Sequence, residues 1–339
     1  MQKKNTKILF LYFGNHWFHR KLARELKATS RSAILTSKAP NSLLKPFVLA
    51  YRSINLPDEY STYLCEDTYM FPAFRKMFFG LKKTKIINIT AGSLMYYLVK
   101  GKINPVLKPA YVYLMRYVDL FVCVSELEQQ LVKELYPNAK TVVVNPYIKY
   151  NLRKKLLSKA LPRLENHNVI VIAYGHSVYY KGIDIAVEAF KKVKQRWEDA
   201  TLTIVGKWDN NTIRKYSAMA RDIKFTGYVK DISSEIRKAS ISIHLARGEG
   251  FGINIIETML AGVPTIVSRT TGARDAVKLL NHKFIVPLNA TVAAKTIDEY
   301  FQLDPIKKNK LSRKARQIAS RYTEQRCINK FKKNLEGFI

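Results

Sequence analysis

Acidic side chains are scarce: 26 Asp and Glu stand against 58 Lys and Arg, a formal net charge of +32. A field of that sign draws polyanions such as nucleotide phosphates, anionic lipid headgroups or nucleic acid, and says nothing about the fold. Cysteine is nearly absent. Cys65, Cys123 and Cys327 lie far apart, with no CxxC pair. That spacing excludes a disulfide framework and a zinc knuckle, fits a reducing cytosol, and leaves each thiol as a small buried hydrophobe. With 14 Gly and 12 Pro, collagen-like and low-complexity character is excluded. No run reaches the ~18 uncharged apolar residues of a membrane-spanning helix. Lys3, Lys4 and Lys7 followed by an apolar run over 8–13 have the outline of a signal peptide. Gly14-Asn15-His16 cuts that run short and no small-residue cleavage site follows, so a first buried strand is expected instead.

What is present is a globular composition, 47% hydrophobic and 12% aromatic over 339 residues, a length that suggests two domains. Short apolar runs alternate with segments of helical spacing. Strands are expected at 7–13, 86–89, 120–124 and 141–144, then at 169–174, 201–205, 240–245, 264–267 and 284–286. Helices are expected at 17–27, 126–135 and 183–197. This alternation predicts an α/β chain of two doubly wound, Rossmann-like parallel sheets facing a cleft. Ligands bind at the carboxyl ends of such strands, where strand order reverses. The pattern loosens after Pro146. The expected division is an acceptor domain over 1–150, a linker over 151–168, a donor domain over 169–320, and a C-terminal helix over 321–339 that crosses back to the first domain. Residues 307–338 carry eleven basic and two acidic side chains.

The most specific stretch runs from Arg247 to Ser268 and begins Arg247-Gly248-Glu249-Gly250-Phe251-Gly252-Ile253-Asn254. A strand ends in a loop with three glycines, which let backbone N–H groups approach a ligand. A helix then starts near Gly252, and its free N–H groups and dipole favour phosphate. Glu249 precedes that helix and Glu257 lies about two turns along it. Carboxylates are poor phosphate ligands but good acceptors for sugar hydroxyls. A nucleotide sugar is hydroxyl-rich at both ends and anionic in the middle, and so fits the combination. A second strand–loop–helix junction, Tyr174-Gly175-His176-Ser177-Val178-Tyr179-Tyr180-Lys181-Gly182-Ile183-Asp184, offers Lys181 to a diphosphate whose charge grows as it leaves.

Taken in order, these motifs resemble the retaining glycosyltransferases of the GT-B fold, group 1, also called family 4. The likeness covers residues 169–276 well and the flanks more weakly. Glu249 and Glu257 match the EX7E pair of that family, Lys181-Gly182-Ile183-Asp184 its KG-I-D element, and 202–206 and 225–229 its two base-side loops. In the first half, 119–126 and 142–145 look like the segments that close the family's first domain. The resemblance implies that Glu257 binds ribose hydroxyls, and that Glu249 binds the donor sugar with help from Gly250, Phe251, Gly252 and Ile253. It implies that Lys181 binds the diphosphate and that Gly175 is among the donor-binding residues. Gly206, Gly227, Tyr228 and Val229 would hold the base, and Gly14 would let backbone approach the diphosphate. The catalytic set is then Glu249, Lys181 and His176. No metal or other cofactor is expected, since no DxD is present to hold one; the donor is UDP- or GDP-linked. The chain departs from the family at His176, where Arg is usual. Asn88 or Thr90 stands where a His often follows a first-domain strand, and Asp275 is offset by Arg274. Read plainly, Glu249 and Glu257 are helix-terminal charges and Lys181 a surface lysine, while His244, inside a strand, is a hydrogen-bonded core residue.

Residues 68–118 hold nine basic and ten aromatic side chains and no Asp or Glu. Cationic and aromatic positions at helical spacing suit a bilayer interface, where each basic residue is worth about 1 kcal/mol against an anionic surface. Arg75, Lys76, Phe78, Phe79, Lys82, Lys83 and Lys85 are the expected membrane-surface residues. A core helix with a solvated basic face shares that pattern. The expectation is an enzyme peripheral on the inner face of the membrane, moving sugar to a lipid or lipid-linked glycan. The alternatives are a soluble glycan, protein or nucleic acid acceptor, or a basic binding module on a degenerate scaffold. Nucleic acid ranks lower as a partner, because no RNP, KH or zinc-finger signature is present, and no obligate protein partner is evident.

Overall fold

The computed structural model describes residues 7–12, 17–32, 55–57, 59–80, 84–90, 92, 94–162, 164–174 and 177–339. The chain divides into two compact units, Met1–Pro146 with Gln325–Ile339, and Tyr147–Glu324.

The first unit is built on a parallel sheet of β1 (Ile8–Tyr12), β2 (Thr29–Ser32), β3 (Thr62–Glu66), β4 (Lys85–Thr90), β5 (Leu120–Cys123) and β6 (Thr141–Val143), in the order β2-β1-β3-β4-β5-β6. Register places Leu11 beside Cys65, Cys65 beside Asn88 and Asn88 beside Phe121. Leu9, Leu11, Tyr63, Cys65, Ile86, Phe121 and Cys123 lie in one buried core. The helices of this unit include α1 (Trp17–Glu25), α2 (Met70–Phe79), α3 (Leu94–Val99), α4 (Lys108–Leu114) and α5 (Glu126–Leu135). Ser125 starts α5 by accepting from the Glu128 N–H at 3.1 Å, and Gly80 ends α2 in the left-handed region at φ +68°.

Two strands of this sheet carry little sequence signal. β2 reads Thr-Ser-Arg-Ser and sits at the sheet edge, where backbone pairing alone holds a polar strand. β3 is five residues long and ends in Cys65-Glu66, too short to show a period.

The second unit carries β7 (Asn168–Ile172), β8 (Thr201–Val205), β9 (Ile223–Gly227), β10 (Ile241–His244), β11 (Thr265–Ser268) and β12 (Ile285–Val286), all parallel, in the order β12-β11-β10-β7-β8-β9. The order reverses between β7 and β10, as in a Rossmann sheet. Its helices are α6 (Tyr150–Leu157), α7 (Val178–Lys181), α8 (Ile183–Lys194), α9 (Asn210–Ser217), α10 (Ile232–Ile236), α11 (Ile253–Ala261), α12 (Arg274–Leu280), α13 (Ala290–Phe301) and α14 (Pro305–Ala319). Helix α6 occupies part of the stretch read from sequence as a linker. Arg237 holds its end, donating to the Leu156 carbonyl at 3.1 Å. Two doubly wound parallel sheets make this a GT-B fold.

The last helix, α15 (Glu324–Leu335), buries Cys327, Ile328, Phe331 and Leu335 on one stripe at helical spacing. Its residues from Gln325 onward belong to the first unit. There Lys332 pairs with Glu25 of α1 at 2.8 Å.

Candidate active site

The site in the second unit starts where β10 ends. The loop after His244 is fixed to the turn after β11 by three backbone bonds. The Glu249 N–H donates to the Thr270 carbonyl (3.0 Å), the Gly272 N–H to the Glu249 carbonyl (2.9 Å), and the Ala273 N–H to the Phe251 carbonyl (2.8 Å). Gly252 then opens α11 at φ +91°, and a Cβ there would come within 2.7 Å of Ile255 Cδ1. Gly250, Phe251 and Gly252 are buried and Ile253 is the first residue of the helix.

Lys181 closes α7, and its Nζ lies 2.7 Å from Glu249 Oε2. Gly182 makes the turn into α8 at φ +66°, with a Cβ site only 1.9 Å from the Leu245 carbonyl oxygen. A second tie joins the same two segments. The Arg247 guanidinium grips both carboxylate oxygens of Asp184 at 2.8 and 2.7 Å and lies 3.8 Å from the centre of the Tyr179 ring. Such a fork is planar, bidentate and directional.

The two glutamates titrate in opposite senses. Burial acts to raise the Glu249 carboxyl, but the Lys181 ammonium and His244 outweigh it and hold the group at about 2. Burial pushes Glu257 up to about 7, with Lys149 opposing. Glu249 is therefore a permanent anion, while Glu257 changes charge near neutrality. Burial and the nearby Glu257 also raise the Tyr174 phenol.

Tyr174 follows β7, and its ring lies 6.4 Å from that of Tyr228, which follows β9 and is 75% exposed. Between them, the Gly206 N–H donates to the Gly227 carbonyl at 3.1 Å. A Cβ on Gly206 (φ +150°) would meet the Ala173 carbonyl at 2.0 Å, whereas one on Gly227 (φ +68°) would meet nothing within 4 Å. Val229 is half-buried beside them. Carboxyl strand ends thus present an open aromatic pair, two glycines and a titratable carboxylate.

Of the residues singled out in the sequence, the structure brings Lys181 and Glu249 into contact. Gly250, Phe251 and Gly252 form the loop between Glu249 and α11, and Ile253 and Glu257 both lie on α11. Gly14, Gly175, His176, Lys82 and Lys83 lie outside the described residues. Asn88, weighed as a stand-in for the family His, is fully buried within the first sheet. Of the membrane-surface set, Phe78 and Phe79 are 61% and 57% exposed. Arg75 is 8% exposed, so it is a buried side chain and not the surface cation the sequence suggests. Lys76 donates to the Thr84 carbonyl (3.0 Å) and pairs with Asp119 (3.3 Å), which also holds Lys85 (3.1 Å). Among the described residues no group of three His, Cys, Asp or Glu could hold a metal ion, and no helix is long and apolar enough to cross a membrane. Sequence reasoning missed Arg247, Asp184 as its partner, Asn254 and the role of Tyr174. An Arg two residues before the first glutamate, with an Asp three after the lysine, was the available signal for the first pair.

The model of the glycosyl transferases group 1 family matches residues 154–318. That match contains every group of this site. Residues 154–318 form a group 1 glycosyl transferase domain. The chain is 28% identical over 117 residues to a phosphatidyl-myo-inositol mannosyltransferase of Mycobacterium leprae, covering 33% of this chain and 31% of that protein. It is 26% identical over 178 residues to an uncharacterized glycosyltransferase of Haemophilus influenzae, covering 50% and 48%. The chain's matches thus span a third to a half of these curated relatives. The fold extends further: Anabaena Alr3699/HepE, solved in complex with UDP-glucose, superposes with a TM-score of 0.74 at 17% identity, over 98% of this chain and all of that one.

Proposed function

We propose that this chain is a retaining, metal-independent glycosyltransferase that moves a sugar from a nucleotide-diphosphate donor to a lipid or lipid-linked glycan. The observation that carries the reading is the Lys181–Glu249 contact at 2.7 Å, set at the carboxyl end of β10 and the glycine-opened start of α11.

Each group then has a task its chemistry suits. Glu249, always ionised, accepts hydrogen bonds from hydroxyls of the transferred sugar. Lys181 turns toward the diphosphate as the bond between the anomeric carbon and the phosphate oxygen breaks and charge collects on the leaving group, stabilising the transition state more than the ground state. Free N–H groups at the start of α11 add to that field. Glu257 accepts from the ribose, and Tyr174, Tyr228, Gly206 and Gly227 frame the base. UDP-glucose in the related fold supports a nucleotide-diphosphate donor, which we take to be UDP- or GDP-linked. The phosphatidylinositol-acting relative and exposed Phe78 and Phe79 support a lipid acceptor at a membrane surface. A soluble acceptor is the second reading, favoured by the burial of Arg75 and the capture of Lys76 and Lys85 by Asp119.

The test is thermal stabilisation by UDP-, GDP- and ADP-sugars, with Glu257→Ala alongside. A donor at about 100-fold over its Kd adds roughly 2.7 kcal/mol to the native chain. Stabilisation of the native chain by none of them removes the donor reading. Proton NMR of the transferred anomeric centre then reads retention directly.

A further inference from the structure

His244 ends β10 and is 4% exposed. Its Nε2 lies 3.5 Å from Glu249 Oε2, the oxygen that also receives Lys181. Among the described residues no hydrogen bond of normal length satisfies that buried nitrogen. On the other side of the ring, Nδ1 lies 3.4 Å from Asn254 Nδ2. The same amide nitrogen donates to the Ile172 carbonyl. A carbonyl oxygen only accepts, so it fixes which end of the Asn254 amide faces inward. An amide nitrogen only donates, so Nδ1 must accept. The neutral ring therefore carries its hydrogen on Nε2, aimed at Glu249.

We propose that His244 is the positioning residue for Glu249, with Asn254 setting its tautomer, and that it keeps Glu249 oriented when Lys181 turns to the donor's diphosphate. The inference rests on the donor-site reading above and deepens it. In the free protein Lys181 supplies the cation beside Glu249. A diphosphate competes for that cation, and the lysine has a flexible four-carbon stem with which to respond. A partly enclosed carboxylate is destabilised by losing the close donor that Lys181 supplies. His244 is held at a strand end, and among the described residues nothing else takes its Nε2 hydrogen. A shift of about half an ångström closes the 3.5 Å gap to hydrogen-bond length. Glu249 then stays in place to read the sugar while Lys181 serves the phosphates.

The experiment measures calorimetric affinity of the full chain for UDP against UDP-glucose and for GDP against GDP-mannose. Glu249 is assigned to the sugar and not to the nucleotide. His244→Leu is therefore expected to lose about tenfold in affinity for the nucleotide sugar while binding of the bare diphosphate stays within about twofold. His244→Gln, whose amide N–H can reach the same oxygen, is expected to restore most of the loss. Asn254→Leu, which frees the tautomer, is expected to show part of it. A parallel loss for both ligands, or no rescue by Gln, overturns the inference in favour of a packing role. Should His244→Leu fail to fold, an unchanged sugar preference in Asn254→Leu overturns it instead. If the native chain binds neither ligand pair, the donor reading fails and takes the inference with it. If it binds them and His244→Leu binds identically, the inference alone fails.

Discussion

Lys181 and Glu249, 68 residues apart in the chain, meet at 2.7 Å at the carboxyl edge of the second sheet. The pair is partly enclosed, with about a fifth of each side chain exposed. It fixes the charge state of the site. Lys181 and His244 depress Glu249 so far below an ordinary carboxyl that it stays ionised at any working pH.

The sign of this effect on stability is definite. Glu249 titrates at about 2 in the folded chain against an ordinary 4.5. Its contribution is present above about pH 4.5 and is lost as pH falls through 2. Lys181→Met removes the cation and leaves a partly buried carboxylate behind. Expected are a loss of about 1–3 kcal/mol at neutral pH and a flatter acid limb in denaturant melts between pH 5 and 2. An acid limb identical to the native one contradicts this account.

Glu257 works the other way. Burial raises it to about 7, so between 4.5 and 7 the folded state holds a proton that the unfolded state has released. Stability from this group therefore falls as pH rises across that window. An ionised carboxylate is the better acceptor for ribose hydroxyls, so donor affinity is expected to rise several-fold from pH 6 to 8. Glu257→Gln should abolish both slopes. Isothermal titration at the two pH values, with melts in parallel, decides it.

The glycines separate structural need from simple backbone freedom. Gly182→Ala drives a Cβ to 1.9 Å from the Leu245 oxygen, while Gly227→Ala meets open space, though both have positive φ near +67°. Gly227→Ala is expected to cost about 1–2 kcal/mol, the left-handed penalty alone. Gly182→Ala should cost several kcal/mol more, because the clash is with backbone and displaces the segment that carries Lys181. Comparable melting temperatures for the two variants contradict this geometry.

Membrane association is expected to depend on aromatic more than basic side chains. Phe78 and Phe79 are exposed at the end of α2, while the single carboxylate of Asp119 pairs with both Lys76 and Lys85 and offsets one of their two charges. In sedimentation with phosphatidylglycerol vesicles, Phe78→Ser with Phe79→Ser should lower binding about tenfold or more, given roughly 1.5–3 kcal/mol for each fully buried Phe. Lys76→Gln should lower it little. The reverse ranking favours an electrostatic surface, and no binding by the native chain favours the soluble acceptor.

The two parallel-sheet units and the order of motifs at the second sheet's carboxyl edge follow from the residues alone. Apolar runs such as 169–172 and 241–243 need burial on both faces wherever they fold. A glycine loop before an amphipathic helix has few alternatives locally. Glu249 and Glu257 were readable because their spacing is local to one loop and one helix, and Lys181 because a separate short loop–helix junction, 174–184, carries it. Which groups meet depends on the packed fold. The chain cannot show that Arg247 grips Asp184, that Asn254 turns His244 toward Glu249, or that Asp119 takes up Lys76 and Lys85, since each contact joins segments set by sheet order and helix packing. The same holds for charge state. Glu249 and Glu257 have identical side chains on one short stretch, and what separates about 2 from about 7 is a lysine and a histidine brought beside one and burial imposed on the other. Arg75 makes the converse point: its sequence neighbours mark a basic surface helix, but the face it occupies on α2 turns inward, because packing selects the face and composition does not.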